Sequence, residues 1–139
     1  MRKTEDGYYR NRHSCFLLQY HLVLITKYRH PVITGALERD LKDYVNGFFK
    51  SHRMSVLSME CMPDHMHVVF EAGPQVNLAD FINSLKTCSS RRERKLYEEF
   101  LSKYYWKPYF WSQTYFLGTV SEKSTEIVKR YVALQKGDL

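Results

Sequence analysis

The stretch Met54–Glu71, MSVLSMECMPDHMHVVFE, decides how the chain folds. Its first nine residues, Met54 to Met62, alternate roughly and read as a strand. Pro63-Asp64 is a turn signal. His65 to Glu71 then alternates strictly, so the two runs form an antiparallel hairpin across a very short loop. On the second strand Met66, Val68 and Phe70 point one way, into a core. His65 and His67 share the other face, because side chains on a strand alternate sides.

Working outward, Tyr20 to Tyr28 (YHLVLITKY) is rich in β-branched and aromatic residues and reads as a buried strand, stopped by His30-Pro31. From Gly35 to about Arg53, Leu37, Leu41, Tyr44, Val45, Phe48 and Phe49 trace the stripe of an amphipathic helix. A second helix starts near Leu78, with Leu78, Phe81, Ile82 and Leu85 on one face, and runs through RRERK (Arg91 to Lys95). Tyr104 to Gln113 reads as an aromatic, proline-containing connection, and Tyr115 to Val120 as the fourth strand. A last helix, capped by Ser121 or Ser124, runs to about Gln135. The order β-α-β-β-α-β-α predicts a single α+β domain over 1–139, helices on an antiparallel sheet in a ferredoxin-like arrangement. Residues 1–14, polar and basic, are expected to be a flexible arm.

Composition narrows the function classes. The 139 residues are 44% hydrophobic and 15% aromatic, with 6 glycines and 4 prolines, which excludes a disordered or collagen-like chain. No run of about 18 uncharged apolar residues exists, so no transmembrane helix and no membrane partner is expected. The apolar run Leu22–Ile25 is far shorter than a signal peptide's core, and the expected address is the cytoplasm. Lys and Arg outnumber Asp and Glu by 21 to 15, a net +6 that favours a polyanion, nucleic acid first. Cys15, Cys61 and Cys88 are odd in number and widely spaced, and read as reduced thiols.

Two imidazoles on one face just after a turn can coordinate a single cation; a bare His-x-His is more often two histidines on a wet sheet face, and the hairpin setting and strict alternation here bring the two readings level. Tyr131 and Gln135 are four apart and stack on one helical face. An amide oxygen suits a hard cation, but a Tyr-x-x-x-Gln pair is by itself an ordinary helix face.

Together these pieces resemble the HUH endonuclease superfamily, specifically the small single-tyrosine transposases of the insertion-sequence type. The matching segments are MECMPDHMHVVF (Met59 to Phe70), YFLGTVS (Tyr115 to Ser121), YVALQ (Tyr131 to Gln135) and the opening strand YHLVLITKYRHPV (Tyr20 to Val32). The resemblance implies metal-assisted cleavage and rejoining of single-stranded DNA at hairpin-marked ends. In it His65, His67 and Gln135 hold one Mg2+ or Mn2+, and Tyr131 attacks the phosphorus to give a 5′-phosphotyrosine. No nucleotide cofactor is needed, since the ester stores the bond for rejoining. It also implies a prokaryotic source and a homodimer in which one subunit's tyrosine helix can complete the other's site. Gly118, before the last helix, can be a hinge for that helix or a plain packing need.

Lys86, Arg91, Arg92 and Arg94 are candidates to hold the hairpin's phosphates, and Arg10 and Arg12 to reach the flanking single strand. A phenol with a pKa near 10 needs charge nearby to act at neutral pH, which the resemblance supplies. Three rival readings remain at this point. One is a zinc site on Cys61, His65 and His67. Another is a hairpin-binding module without catalysis, and the third is a domesticated relative acting on chromosomal palindromes.

Overall fold

The hairpin at the centre of the sequence forms one side of the sheet, its second strand inside and its first at the edge. The computed structural model describes residues 3–120 and 124–134. A small two-stranded unit, β1 (Tyr9–Arg10) with β2 (Cys15–Phe16), precedes the main sheet of β3 (Gln19–Thr26), β4 (Ser55–Met62), β5 (His65–Glu71) and β6 (Trp111–Thr119). The sheet order is β4-β5-β3-β6, antiparallel throughout. Counting from β3, this is the 2-3-1-4 order of the ferredoxin-like arrangement, with α1 (Gly35–Ser51) and α2 (Leu78–Leu96) as crossovers. A single turn, α3 (Glu98–Leu101), and the helix α4 (Ser124–Leu134) complete it.

One sheet face is dry. Leu22 and Leu24 of β3 and Met66, Val68 and Phe70 of β5 are buried against Leu37, Leu41, Val45 and Phe49 of α1 and Phe81, Ile82 and Leu85 of α2. The expected inward set Met66, Val68 and Phe70 is wholly buried. The Asn77 side chain caps α2 by accepting from the Asp80 amide at 3.1 Å. On the opposite face Val23 and Ile25 are covered by Tyr131 and Val132 of α4 and by Phe116. The rough alternation of β4 has a cause: the register slips between Val56 and Ser58, a bulge that flips the side-chain parity.

Two expectations need correction. The N-terminal arm is not loose: β1 pairs with β2, Tyr9 is buried, and its hydroxyl donates to Glu71 at 2.7 Å. Lys3 pairs with the same carboxylate at 2.6 Å, and Gln19 donates to it at 2.7 Å. Burial works to raise the Glu71 pKa, but these three bonds outweigh it and hold it below the ordinary carboxylate value. The second correction is that β6 starts at Trp111, inside the expected connection, because the indole is buried and donates to Ser89 of α2 at 2.9 Å.

Candidate active site

The face opposite the main core carries the chemistry. In β3–β5 register, Ile25 lies across from His65, Val23 from His67 and His21 from Val69. His65 and His67 therefore stand side by side, ring centroids 4.8 Å apart, with His21 beyond them on the same face. Each imidazole is fixed through Nδ1. His65 Nδ1 lies 2.7 Å from Asp64 Oδ1, and His67 Nδ1 lies 3.2 Å from His21 Nε2. An ionised carboxylate only accepts, so His65 donates through Nδ1 and leaves Nε2 for a metal.

Burial, and then the neighbouring His65 and His21, push the His67 pKa down to about 4, so the ring is neutral at physiological pH. His21 is also lowered by burial, against the pull of Glu60. A neutral His67 beside His65, each with its Nδ1 engaged, offers two Nε2 donors to one side, and such a pair fits a divalent cation. Among the described residues no group of three or more His, Cys, Asp or Glu gathers around a metal position. Gln135, the expected third ligand, lies outside the described residues.

Tyr131 comes to this face from α4. Its ring packs on Phe116 with centroids 5.3 Å apart, and its hydroxyl donates to Thr114 Oγ1 at 3.3 Å. Phe116 faces Val23 across the β3–β6 ladder, which places the tyrosine on the side of the sheet that bears the histidines. Gly118 belongs to this packing. A Cβ there would approach the Phe116 ring to 2.9 Å, displacing the ring on which Tyr131 rests.

The zinc reading fails on register. Met62 pairs with His65 and Cys61 with Met66, so Cys61 projects to the core face, away from the histidines. Burial pushes its thiol up to about 11, which keeps it protonated.

The basic helix divides. Lys86, Arg91 and Arg94 line one groove of about 350 Å³ with Tyr109, Trp111 and Gln113. Lys86 Nζ donates to the Gln113 carbonyl at 2.9 Å, and Arg94 Nε to Ser90 Oγ at 3.1 Å. Arg92 faces elsewhere: it makes a two-pronged pair with Asp40 of α1 at 2.8 and 2.9 Å and lies over the Tyr44 ring. Arg10 is paired with Asp6 within its hairpin. Arg12 is exposed on the loop between β1 and β2. Sequence reading missed His21, Asp64 and Arg29 at the site and Trp106 beside the groove. Trp106 is 79% exposed, in a cleft of about 290 Å³ that shares Arg94, Pro108 and Tyr109 with the groove.

A ferredoxin-like sheet with His-hydrophobe-His on an inner strand, and a tyrosine helix laid over the histidine face, defines a single-tyrosine HUH transposase. The family described as Transposase IS200 like matches residues 14–135, and the chain belongs to it. It is thus an enzyme that cleaves and rejoins DNA. It is 34% identical to the ISDra2 transposase TnpA of Deinococcus radiodurans over 126 residues, 91% of this chain and 89% of that one. The transposase of insertion sequence element IS200 from Salmonella typhimurium is 30% identical over 125 residues, covering 88% and 80%. A crystal structure of a transposase from Deinococcus radiodurans R1 superposes with a TM-score of 0.85 at 30% identity, covering 91% of this chain and 97% of that one. A REP-associated tyrosine transposase bound to a REP hairpin shares the fold alone, with TM-score 0.55 and 9% identity over 89% and 68%. No helix among the described residues is long and apolar enough to cross a membrane.

Proposed function

We propose that the chain cuts single-stranded DNA at hairpin-marked element ends through a covalent 5′-phosphotyrosine on Tyr131, and rejoins it by the reverse step. The observation that carries this is the placement of Tyr131 over the sheet face on which His65 and His67 stand side by side. Tyr131 Oη attacks the phosphorus and gives up its proton to solvent. The bond from phosphorus to the 3′ oxygen breaks, and that oxygen takes a proton from solvent and leaves as a 3′-hydroxyl.

His65 and His67 would hold Mg2+ or Mn2+ through Nε2, with Gln135 as the expected third ligand. Such a cation supplies charge to neutralise the scissile phosphate and to favour the phenolate. For this, His67 keeps its proton on Nδ1 and donates it to His21, while Asp64 orients His65. Thr114 holds the tyrosine hydroxyl near the face until substrate replaces it.

Lys86, Arg91 and Arg94 supply the phosphate contacts for the hairpin stem, and the exposed Trp106 offers a stacking face to an unpaired base. Arg92 is tied to α1, and Arg10 to Asp6, so neither is assigned to DNA; Arg12 remains a candidate for the flanking strand. We take the working assembly to be a homodimer. Mixing Tyr131→Phe with His67→Ala subunits tests it: restored cleavage supports a shared site, and no rescue argues for a site within one chain.

The test of the reaction is a denaturing gel with 3′-labelled hairpin oligonucleotides and Mg2+ or Mn2+. A protein–DNA adduct that needs both metal and Tyr131 supports the reading. Hairpin binding with no adduct on any strand tried would favour a non-catalytic module.

A further inference from the structure

Thr26 closes β3, and the next turn bends sharply. Tyr28 and Arg29 both adopt left-handed backbone conformations, φ 58° and 54°, which side-chain-bearing residues rarely hold. The bend is kept by its surroundings. The Thr26 amide donates to the Asp64 carbonyl at 3.0 Å, its hydroxyl to the His30 carbonyl at 2.8 Å, and the Tyr105 hydroxyl to the Lys27 carbonyl at 2.7 Å.

What the bend achieves is to aim one guanidinium at two targets. Arg29 donates through Nε and Nη2 to Asp64 Oδ2, at 3.0 and 2.9 Å, while Asp64 Oδ1 accepts a hydrogen bond from His65 Nδ1. The remaining arm, Nη1, donates to the Val132 carbonyl at 3.2 Å. Val132 follows Tyr131 on α4, so the guanidinium grips the helix beside its tyrosine.

We propose that Arg29 is a positioning residue: a clasp that seats the tyrosine helix by its Val132 carbonyl and ties that seat, through Asp64, to the histidine strand. The tyrosine and the metal ligands then share one hydrogen-bonded frame, and releasing the helix from the sheet requires breaking one charged bond. The catalytic consequence rests on the reaction proposed above; the seating of the helix does not.

The experiment is hydrogen exchange on the full, metal-free chain, comparing wild type with Arg29→Gln and Arg29→Lys. Arg29→Gln is expected to speed exchange in peptides covering 124–134 about tenfold, with β3 and β5 peptides unchanged. Arg29→Lys restores part of the protection, because one ammonium cannot span both targets in a fixed fork. Unchanged α4 exchange in Arg29→Gln would overturn the clasp. So would equal acceleration in β3 and β5, which marks a general structural role. In the same proteins, Arg29→Gln should slow adduct formation about tenfold, with Arg29→Lys recovering part of the rate. An adduct rate equal to wild type would overturn the link to the tyrosine. A wild type that forms no adduct counts against the proposed reaction, and the clasp is then judged on exchange alone.

Discussion

Replacing Glu93 by glutamine removes a carboxyl that the fold keeps protonated far above its ordinary range, at a cost in stability that grows with pH. Glu93 lies on α2 with no exposed surface, and neither of its carboxyl oxygens has a hydrogen-bond partner among the described residues. Burial, followed by the Asp40 carboxylate beside it, pushes its pKa from 4.5 up to about 8, and the Arg92 guanidinium at 4.0 Å offsets only part of that. A folded-state pKa above the unfolded one means the native protein binds the extra proton. The associated stability is whole below about pH 4.5 and is lost as pH rises through about 8. At about 1.36 kcal/mol for each pH unit, the loss is about 3 kcal/mol by pH 7 and about 5 kcal/mol by pH 9. Glutamine keeps the shape and cannot ionise. Urea unfolding of wild type and Glu93→Gln at pH 4.5, 7 and 9 should therefore show the variant's advantage growing by those amounts. In thermal melts the gain at pH 7 corresponds to about 10 °C. A difference independent of pH would refute the reasoning, as would a wild type that is the more stable protein at pH 9, since Arg92 would then be neutralising the carboxylate in full.

Four further outcomes concern the site and the basic helix. His21→Ala should weaken Mn2+ binding about 10- to 100-fold by calorimetry, because His67 loses the partner of its Nδ1; unchanged affinity would remove His21 from the site. Cys61→Ala should leave Mn2+ affinity unchanged, since the thiol points into the core; a variant that no longer binds the metal would restore the cysteine-ligand reading. Replacing Lys86, Arg91 and Arg94 by glutamine should flatten the salt dependence of hairpin binding by about 0.9 in log–log slope for each phosphate left without its cation. Arg92→Gln should leave that slope alone, because its charge is already spent on Asp40.

The strands were legible where one face was apolar and the other not. His65 to Glu71 is such a run, and it forms β5 at the residues read from its alternation. The start of β6 was hidden because Trp111 pairs and packs within an aromatic, proline-bearing stretch, where the usual turn signals are present. One alternative could have been set aside by geometry alone. A two-residue turn at Pro63-Asp64 forces Met62 opposite His65 and Cys61 opposite Met66, so the cysteine could not join the histidines. The division of the basic helix was not legible, because Arg92 is turned toward α1 by Asp40, 52 residues away in sequence, while Lys86, Arg91 and Arg94 line the groove. His21, Arg29 and the docking of the N-terminal hairpin on Glu71 depend on partners 35 to 103 residues away in sequence, which no local pattern encodes.

The most direct test of the account is to find which side chain carries the DNA. Wild-type protein is reacted with the cleavable strand and Mn2+, nuclease-trimmed, digested with trypsin and mapped by mass spectrometry. Cleavage after Arg130 and Lys136 releases the peptide YVALQK, Tyr131 to Lys136. The account predicts a nucleotide 5′-phosphate on that peptide, on Tyr131. A nucleotide on any other tyrosine, or on a histidine, would contradict it.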